Sequence, residues 1–242
     1  MIRVKAGVFS VTPPGPADDD GSYLQWHLLD HMPEQYQLPG MLLGTRWIAD
    51  GDYVSQRIAG EGDLANIANV VNYLVTDPVE RTLNDFMELG SRLAEIGRFP
   101  ERRPGLRLSA PALLKWYAAP RVLVSPEVVP FRPHRGVLFV VEEPTGDGTN
   151  DWLQWLHTSH TQELLQVPGV AGIWLYGSTR TWQLHPSFFT GRQYVTVIYL
   201  DDDPLATTKA LISLVEQRWS SGAVRPLFAG PLRSMVLWEA WP

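Results

Sequence analysis

The polar side chains able to do chemistry in this sequence are few, and two of them occur in matching surroundings. His31 follows Trp26 by five residues and His160 follows Trp155 by five, each ahead of a Pro-Gly pair, Pro39-Gly40 and Pro168-Gly169. A neutral imidazole near physiological pH can give or take a proton, so a histidine over an apolar pocket suits isomerisation, cyclisation or dehydration. The plain alternative is that each histidine bonds a backbone carbonyl and locks its helix to a sheet. Tyr36 is a candidate general acid if the segment 33–38 folds over the pocket. Arg46, beside Trp47, and Asn72, within Val70-Val71-Asn72-Tyr73-Leu74, are polar where the second half reads Ile173 and Ile198. A polar group in an apolar strand must find a partner or hold a ligand. Strand alternation puts Asn72 and Leu74 on one face and Tyr73 on the other. His31, Arg46 and Asn72, lined by Trp26 and Trp47, thus outline a first-half pocket for an anionic or carbonyl-bearing ligand. Arg46 paired with an acid at a rim, and Asn72 satisfying a bulge, make the competing reading.

Other chemistries lack their parts. His27 with His31 and His157 with His160 have spacings that bring two imidazoles to one helical face, as metal sites require. No third ligand stands at a diagnostic spacing and His27 aligns with Leu156, so surface histidines and no metal are expected. The absence of cysteine removes disulfides, thiolate nucleophiles, cysteine-ligated zinc and ordinary iron–sulfur clusters. No dinucleotide fingerprint, phosphate-binding loop or Gly-x-Ser-x-Gly elbow is found, and no cofactor is expected. The runs Asp18-Asp19-Asp20 and Asp201-Asp202-Asp203 read as solvated capping loops at helix entrances.

An internal repeat supplies the elements that must position these groups. Leu24-Gln25-Trp26, His31 and Pro39-Gly40 recur 129 positions later as Leu153-Gln154-Trp155, His160 and Pro168-Gly169, and Gly7-Val8 matches Gly136-Val137 at the same displacement. Trp47 then matches Trp174, Tyr73 matches Tyr199, Asp77-Pro78 matches Asp203-Pro204, Arg103-Pro104 matches Arg225-Pro226, and Trp116 matches Trp238, as the displacement shrinks to 122. Each half opens with an apolar strand. A helix follows, with capping boxes at Ser22–Gln25 and Asp151–Gln154. Two strands come next, then a second helix begun by Asp-Pro, with Asp as cap and Pro first. Aromatic-rich strands at Ala112–Tyr117 and Met235–Trp241 close the halves. The order β-α-β-β-α-β, twice, divides the chain into 1–117, a stiff Pro-rich linker at 118–135, and 136–242. One such half leaves an apolar sheet face bare, and two can close against each other as a barrel with helices outside.

Composition agrees with a folded chain of this kind. Its 242 residues are 45% hydrophobic, enough to bury a core without disulfides. Acidic residues outnumber basic ones 26 to 20, which argues against a nucleic-acid surface. No apolar run reaches the roughly 18 residues that span a bilayer, and the first residues read as a strand, so a cytoplasmic protein without a membrane partner is expected. Most of the ten tryptophans fall in matched positions, which marks them first as core.

The repeated frame, Leu-Gln-Trp, a helical His, Pro-Gly and a Trp-bearing strand, resembles the dimeric α+β barrel superfamily, nearest to its EthD-like members, as a tandem fusion of ferredoxin-like halves. That resemblance implies an α+β fold and a small apolar, aromatic or polyketide-like ligand, in a monomer with an internal pseudo-dimer or a homo-oligomer. It leaves open a cofactor-independent cyclase, isomerase or dehydratase with His31, Tyr36 and His160 as catalytic candidates, a cofactor-free monooxygenase, and a non-catalytic or stress-related binding protein. Chlorite dismutase-like and dye-decolourising haem proteins also fuse such halves. The sequence around His160, Thr-Ser-His-Thr-Gln-Glu, does not resemble the ligand motif of the first, and the Gly-x-x-Asp-Gly signature of the second is absent.

Overall fold

The structure, a computed structural model, describes residues 3–14, 20–99, 107–183 and 192–235. Asp18-Asp19, Arg103-Pro104, the second-half loop 185–189, Trp238 and all but the first residue of the strand expected at Met235–Trp241 lie outside them. The first half runs β1 (Val4–Thr12), a helix in three parts, and β2 (Met41–Ile48). The three parts are α1 (Asp20–Trp26), a π-helical turn (His27–His31) and α2 (Met32–Gln35). Then come α3 (Asp52–Ser55), β3 (Ala59–Gly60), β4 (Asn69–Thr76), α4 (Val79–Glu95) and β5 (Arg107–Ala118). The second half runs β6 (Gly136–Pro144), α5 (Thr149–Trp155), a second π-helical turn (Leu156–His160), α6 (Thr161–Gln166), β7 (Val170–Gln183), β8 (Tyr194–Leu200), α7 (Pro204–Gln217) and β9 (Val224–Ser234).

This is a mixed α+β fold around one large antiparallel sheet. Nine strands pair in the order β2-β4-β1-β5-β7-β8-β6-β9-β3, and β9 also meets β2 at Trp47↔Ser234 and Ile48↔Arg233. The pairings therefore return to the strand they began from. Strand alternation gives the sheet two apolar faces. On one, Phe9, Trp47, Val70 and Leu74 pack with Phe139, Trp174, Tyr176, Val197, Tyr199 and Phe228 in a core shared by both halves. The other face is covered by helices. Ala6, Val8, Val71 and Tyr73 receive Leu28, Met32, Leu83 and Phe86, while Leu138, Ile173 and Ile198 receive Leu164, Leu165, Leu211 and Val215.

Several local expectations are corrected. Ser22 and Asp151 lie inside helices that begin earlier, so neither opens a capping box. In the second half the cap is Gly148, whose φ of 89° only glycine adopts readily, and Asp151 instead complements the positive end of the helix. Asp203 does cap α7, accepting from the Ala206 amide at 2.8 Å with Pro204 first in the helix. Pro78, by contrast, is itself the cap of α4, one residue outside it, and Asp77 makes no capping bond. A strand that the sequence pattern did not single out, β9, covers Val224–Ser234. Its Pro226 and Pro231 disguise it, and a bulge opposite Glu142 accommodates Pro226. Residues 118–135 are not an extended spacer. They form two 3₁₀ turns, Pro120–Val122 and Pro126–Phe131, tied to the sheet where Trp174 Nε1 donates to the Pro126 carbonyl at 3.1 Å and Arg132 pairs with Asp201.

The repeat matches also fail in the strands by one residue. Tyr73 faces the helices and Tyr199 the shared core; Val8 faces the helices and Val137 the core. The residue that shares Asn72's face is Val197, not Ile198. A one-residue slip exchanges the two faces of a strand, and bulges at Val4/Ala6, Met41/Leu43 and Val170/Gly172 supply such slips.

Candidate functional site

The three-part helix of the first half lies over β4 and β2 on the face away from the shared core. Its π-helical turn inserts an extra residue between Trp26 and Met32, a feature that often marks functional sites. The turn aims both its histidines at the sheet. His27 and His31 are 5% and 8% exposed, which overturns the surface placement expected for them, and their rings lie 5.4 Å apart. Trp26 stacks on His31 at 4.9 Å with planes 17° apart, and its Nε1 donates to the Arg98 carbonyl at 3.0 Å. Phe99 meets both rings edge-on. Gln35, one turn beyond His31, puts its Nε2 3.2 Å from His31 Nε2, and the Tyr73 hydroxyl lies 3.3 Å from His27 Nε2.

Arg46 reaches the same side from β2. Its Nη1 donates to Asn69 Oδ1 at 3.3 Å and its guanidinium lies 5.2 Å from the centre of the Tyr23 ring. Burial, and after it the Arg46 charge, lowers the pKa of His31 to about 4, and the same two causes hold His27 well below its ordinary value. Both imidazoles are therefore neutral at pH 7. Burial raises the Tyr73 phenol, which stays protonated. Tyr36 caps the end of α2, so residues 33–35 are the last turn of the helix rather than a loop over it, and its hydroxyl donates to the Gly44 carbonyl at 3.0 Å.

Of the residues selected from sequence, the structure brings His31, Trp26 and Arg46 together, with Tyr36 at the margin. It does not bring Trp47 and Asn72 to them. Both point to the opposite side of the sheet, into the shared core. There Trp47 Nε1 donates to His134 Nε2 at 3.0 Å, and Asn72 lies close to the Tyr176 hydroxyl. Sequence reasoning passed over Gln35, although the step of four from His31 was readable, and read from Tyr73 only its face and its match to Tyr199.

His160 occupies the matching place in the second half, at the end of the other π-helical turn and stacked on Trp155 at 4.5 Å. It is fully buried, and burial followed by the Arg218 charge brings its pKa to about 3. Arg218, buried at the end of α7, donates from Nε to Glu142 at 2.8 Å and from Nη2 to Thr196 at 2.9 Å. Tyr117 pairs with His157 Nδ1 at 3.0 Å. The cavity between Tyr117, His157, Thr196 and Arg218 has room for about one water molecule. Among the described residues no group of three or more His, Asp or Glu is placed to hold a metal ion, and no helix is long and apolar enough to cross a membrane.

No protein-family model and no curated protein matches this chain. Solved structures do, at the level of the fold. An anthrone oxidase-like protein is 12% identical with a TM-score of 0.57, covering 96% of this chain and 92% of its own. A provisionally named monooxygenase from Fusobacterium nucleatum is 10% identical at 0.57, covering 98% and 94%. Chlorite dismutase from Candidatus Nitrospira defluvii is 15% identical at 0.51, covering 98% and 94%. The likeness is one of fold, a mixed α+β arrangement on a large antiparallel sheet with ferredoxin-like neighbours.

Proposed function

We propose that this chain is a cofactor-independent enzyme that binds a small, largely apolar, aromatic or polyketide-like molecule against the first-half helix. There it carries out cyclisation, isomerisation or dehydration. The observation that carries this reading is the pair of buried, neutral histidines, His31 stacked under the Trp26 ring and His27 edge-on to it, with Arg46 beside them. Arg46 would stabilise negative charge developing on a substrate oxygen, and His31 would serve as the acid/base near it. Trp26 gives a flat aromatic substrate a surface to lie against. In this reading the chain is a tandem fusion of EthD-like halves, 1–117 and 136–242, joined by 118–135 and closed as an intramolecular barrel. In the second half Glu142 pairs with the Arg218 guanidinium.

An axial haem ligand needs a ring nitrogen facing room for a macrocycle, and the full burial of His160 argues against that role.

The test is turnover. Extracts and candidate polyketides are screened for a compound the protein transforms, and His31→Ala and His31→Gln are compared with the parent. Loss of about 10²–10⁴ in kcat with the fold intact is expected; full turnover in both variants removes the role. The likeness to monooxygenase structures supports a second reading, oxygenation of a substrate carbanion without a cofactor. Product formation that stops under nitrogen would select it.

A further inference from the structure

His27 and His31 have different partners but the same nitrogen engaged. With the Gln35 amide nitrogen, which donates and does not accept, 3.2 Å away, His31 Nε2 would carry the lone pair and its ring proton would lie on Nδ1. At His27 Nε2 the neighbour is the Tyr73 hydroxyl, 3.3 Å away. That phenol is buried, and giving its hydrogen to the imidazole would satisfy it, so His27 would also accept at Nε2 and keep its proton on Nδ1. In both rings Nδ1 is buried and has no hydrogen-bond partner among the described residues. The second half lacks this arrangement, since Leu164 stands four residues after His160 and both nitrogens of that ring are unengaged.

We propose that Gln35 and Tyr73 are positioning residues that hold His31 and His27 in the Nδ1–H form, so that this site takes its ligand by an acceptor oxygen, an enolate, phenolate or carbonyl. The inference rests on the reading of the site as ligand-binding, and replaces the acid/base part given to His31 there with that of a hydrogen-bond donor to the ligand oxygen. A neutral ring whose Nε2 already accepts a hydrogen bond presents a donor, not a base. It stabilises charge on the oxygen through the Nδ1–H bond and does not surrender that proton, which would leave an imidazolate. Unpartnered buried N–H groups are costly, and a ligand oxygen relieves that cost where an apolar ligand does not.

Nitrogen-15 correlation spectra of the full chain read which ring nitrogen of each histidine is protonated, without any substrate. Nδ1–H is expected at His27 and His31. Gln35→Glu places a carboxylate acceptor at Nε2 and should move the His31 proton there, while Gln35→Leu should leave the Tm near the parent value and remove the preference. An Nε2–H form of His31 in the parent, or a tautomer indifferent to Gln35→Glu, overturns the proposal. 4-Nitrophenolate should shift the Nδ1–H proton resonances downfield where nitrobenzene does not; equal or absent shifts overturn the oxygen assignment. Tautomer and turnover can fail separately, so this result and that of the His31 variants are distinguishable.

Discussion

His31 illustrates how much of a site a short stretch of sequence holds. Its stacking partner Trp26 and its hydrogen-bonding partner Gln35 lie within five positions of it on one helix, so a helical reading could find both. What no spacing could reveal is Arg218 against Glu142, which are 76 residues apart, or the facing of Tyr73 toward His27. The depressed pKa of His31 has a consequence for stability. Its folded value of about 4 lies below the ordinary 6.5, so the unfolded chain takes up a proton that the folded chain refuses. Stability is therefore whole above pH 6.5 and falls as the pH drops from there to about 4. His31 contributes up to about 3 kcal/mol of that loss. His160, shifted to about 3, extends the decline further. Thermal unfolding followed across pH 7 to 4 should show Tm falling steadily, and the fall should be shallower in His31→Gln.

At the level of elements, the helices were legible and the strands less so. A repeated letter pattern places helices well because one residue of slip turns a helix by about 100° and leaves its apolar stripe recognisable. The same slip turns a strand over completely, which is why Tyr73 and Tyr199 agree in sequence and disagree in face. The end of α7 is held to β6 by Arg218 and Glu142, both buried, with Trp219 Nε1 donating to the same carboxylate at 2.8 Å. Arg218→Met strands that carboxylate, and we expect a loss of about 3–5 kcal/mol. The double variant Arg218→Met with Glu142→Leu removes both charges and should recover most of it. Urea unfolding of the two variants against the parent measures the difference, and equal losses would show that packing rather than charge holds this joint.

Across the whole molecule the two seams between halves are unequal. β5 pairs with β7 from Ser109↔Gln183 to Ala118↔Gly172, whereas β9 meets β2 over Trp47↔Ser234 and Ile48↔Arg233, helped by its contact with β3 and by Arg233 donating to Asp50 at 2.7 Å. The longer ladder should outlast the shorter. In native-state hydrogen exchange, amides facing across β2 and β9 should exchange ahead of those in β5 and β7, and uniform protection would refute that order. A large antiparallel sheet packed with helices was legible in the sequence, but the inequality of these two pairings arises from bulges and prolines that the sequence pattern does not reveal. Because each half's last strand completes the other half's sheet, the arrangement also sets a schedule for biosynthesis. When Ala118 has been polymerised, the outer edges of β5 and β2 are both unpaired. β7 reaches the first of them some sixty residues later, and β9 reaches the second only after Ser234. At ribosomal rates that leaves the edge of β2 bare for roughly 6–23 s, an interval in which a nascent chain is open to capture by its neighbours on the same polysome.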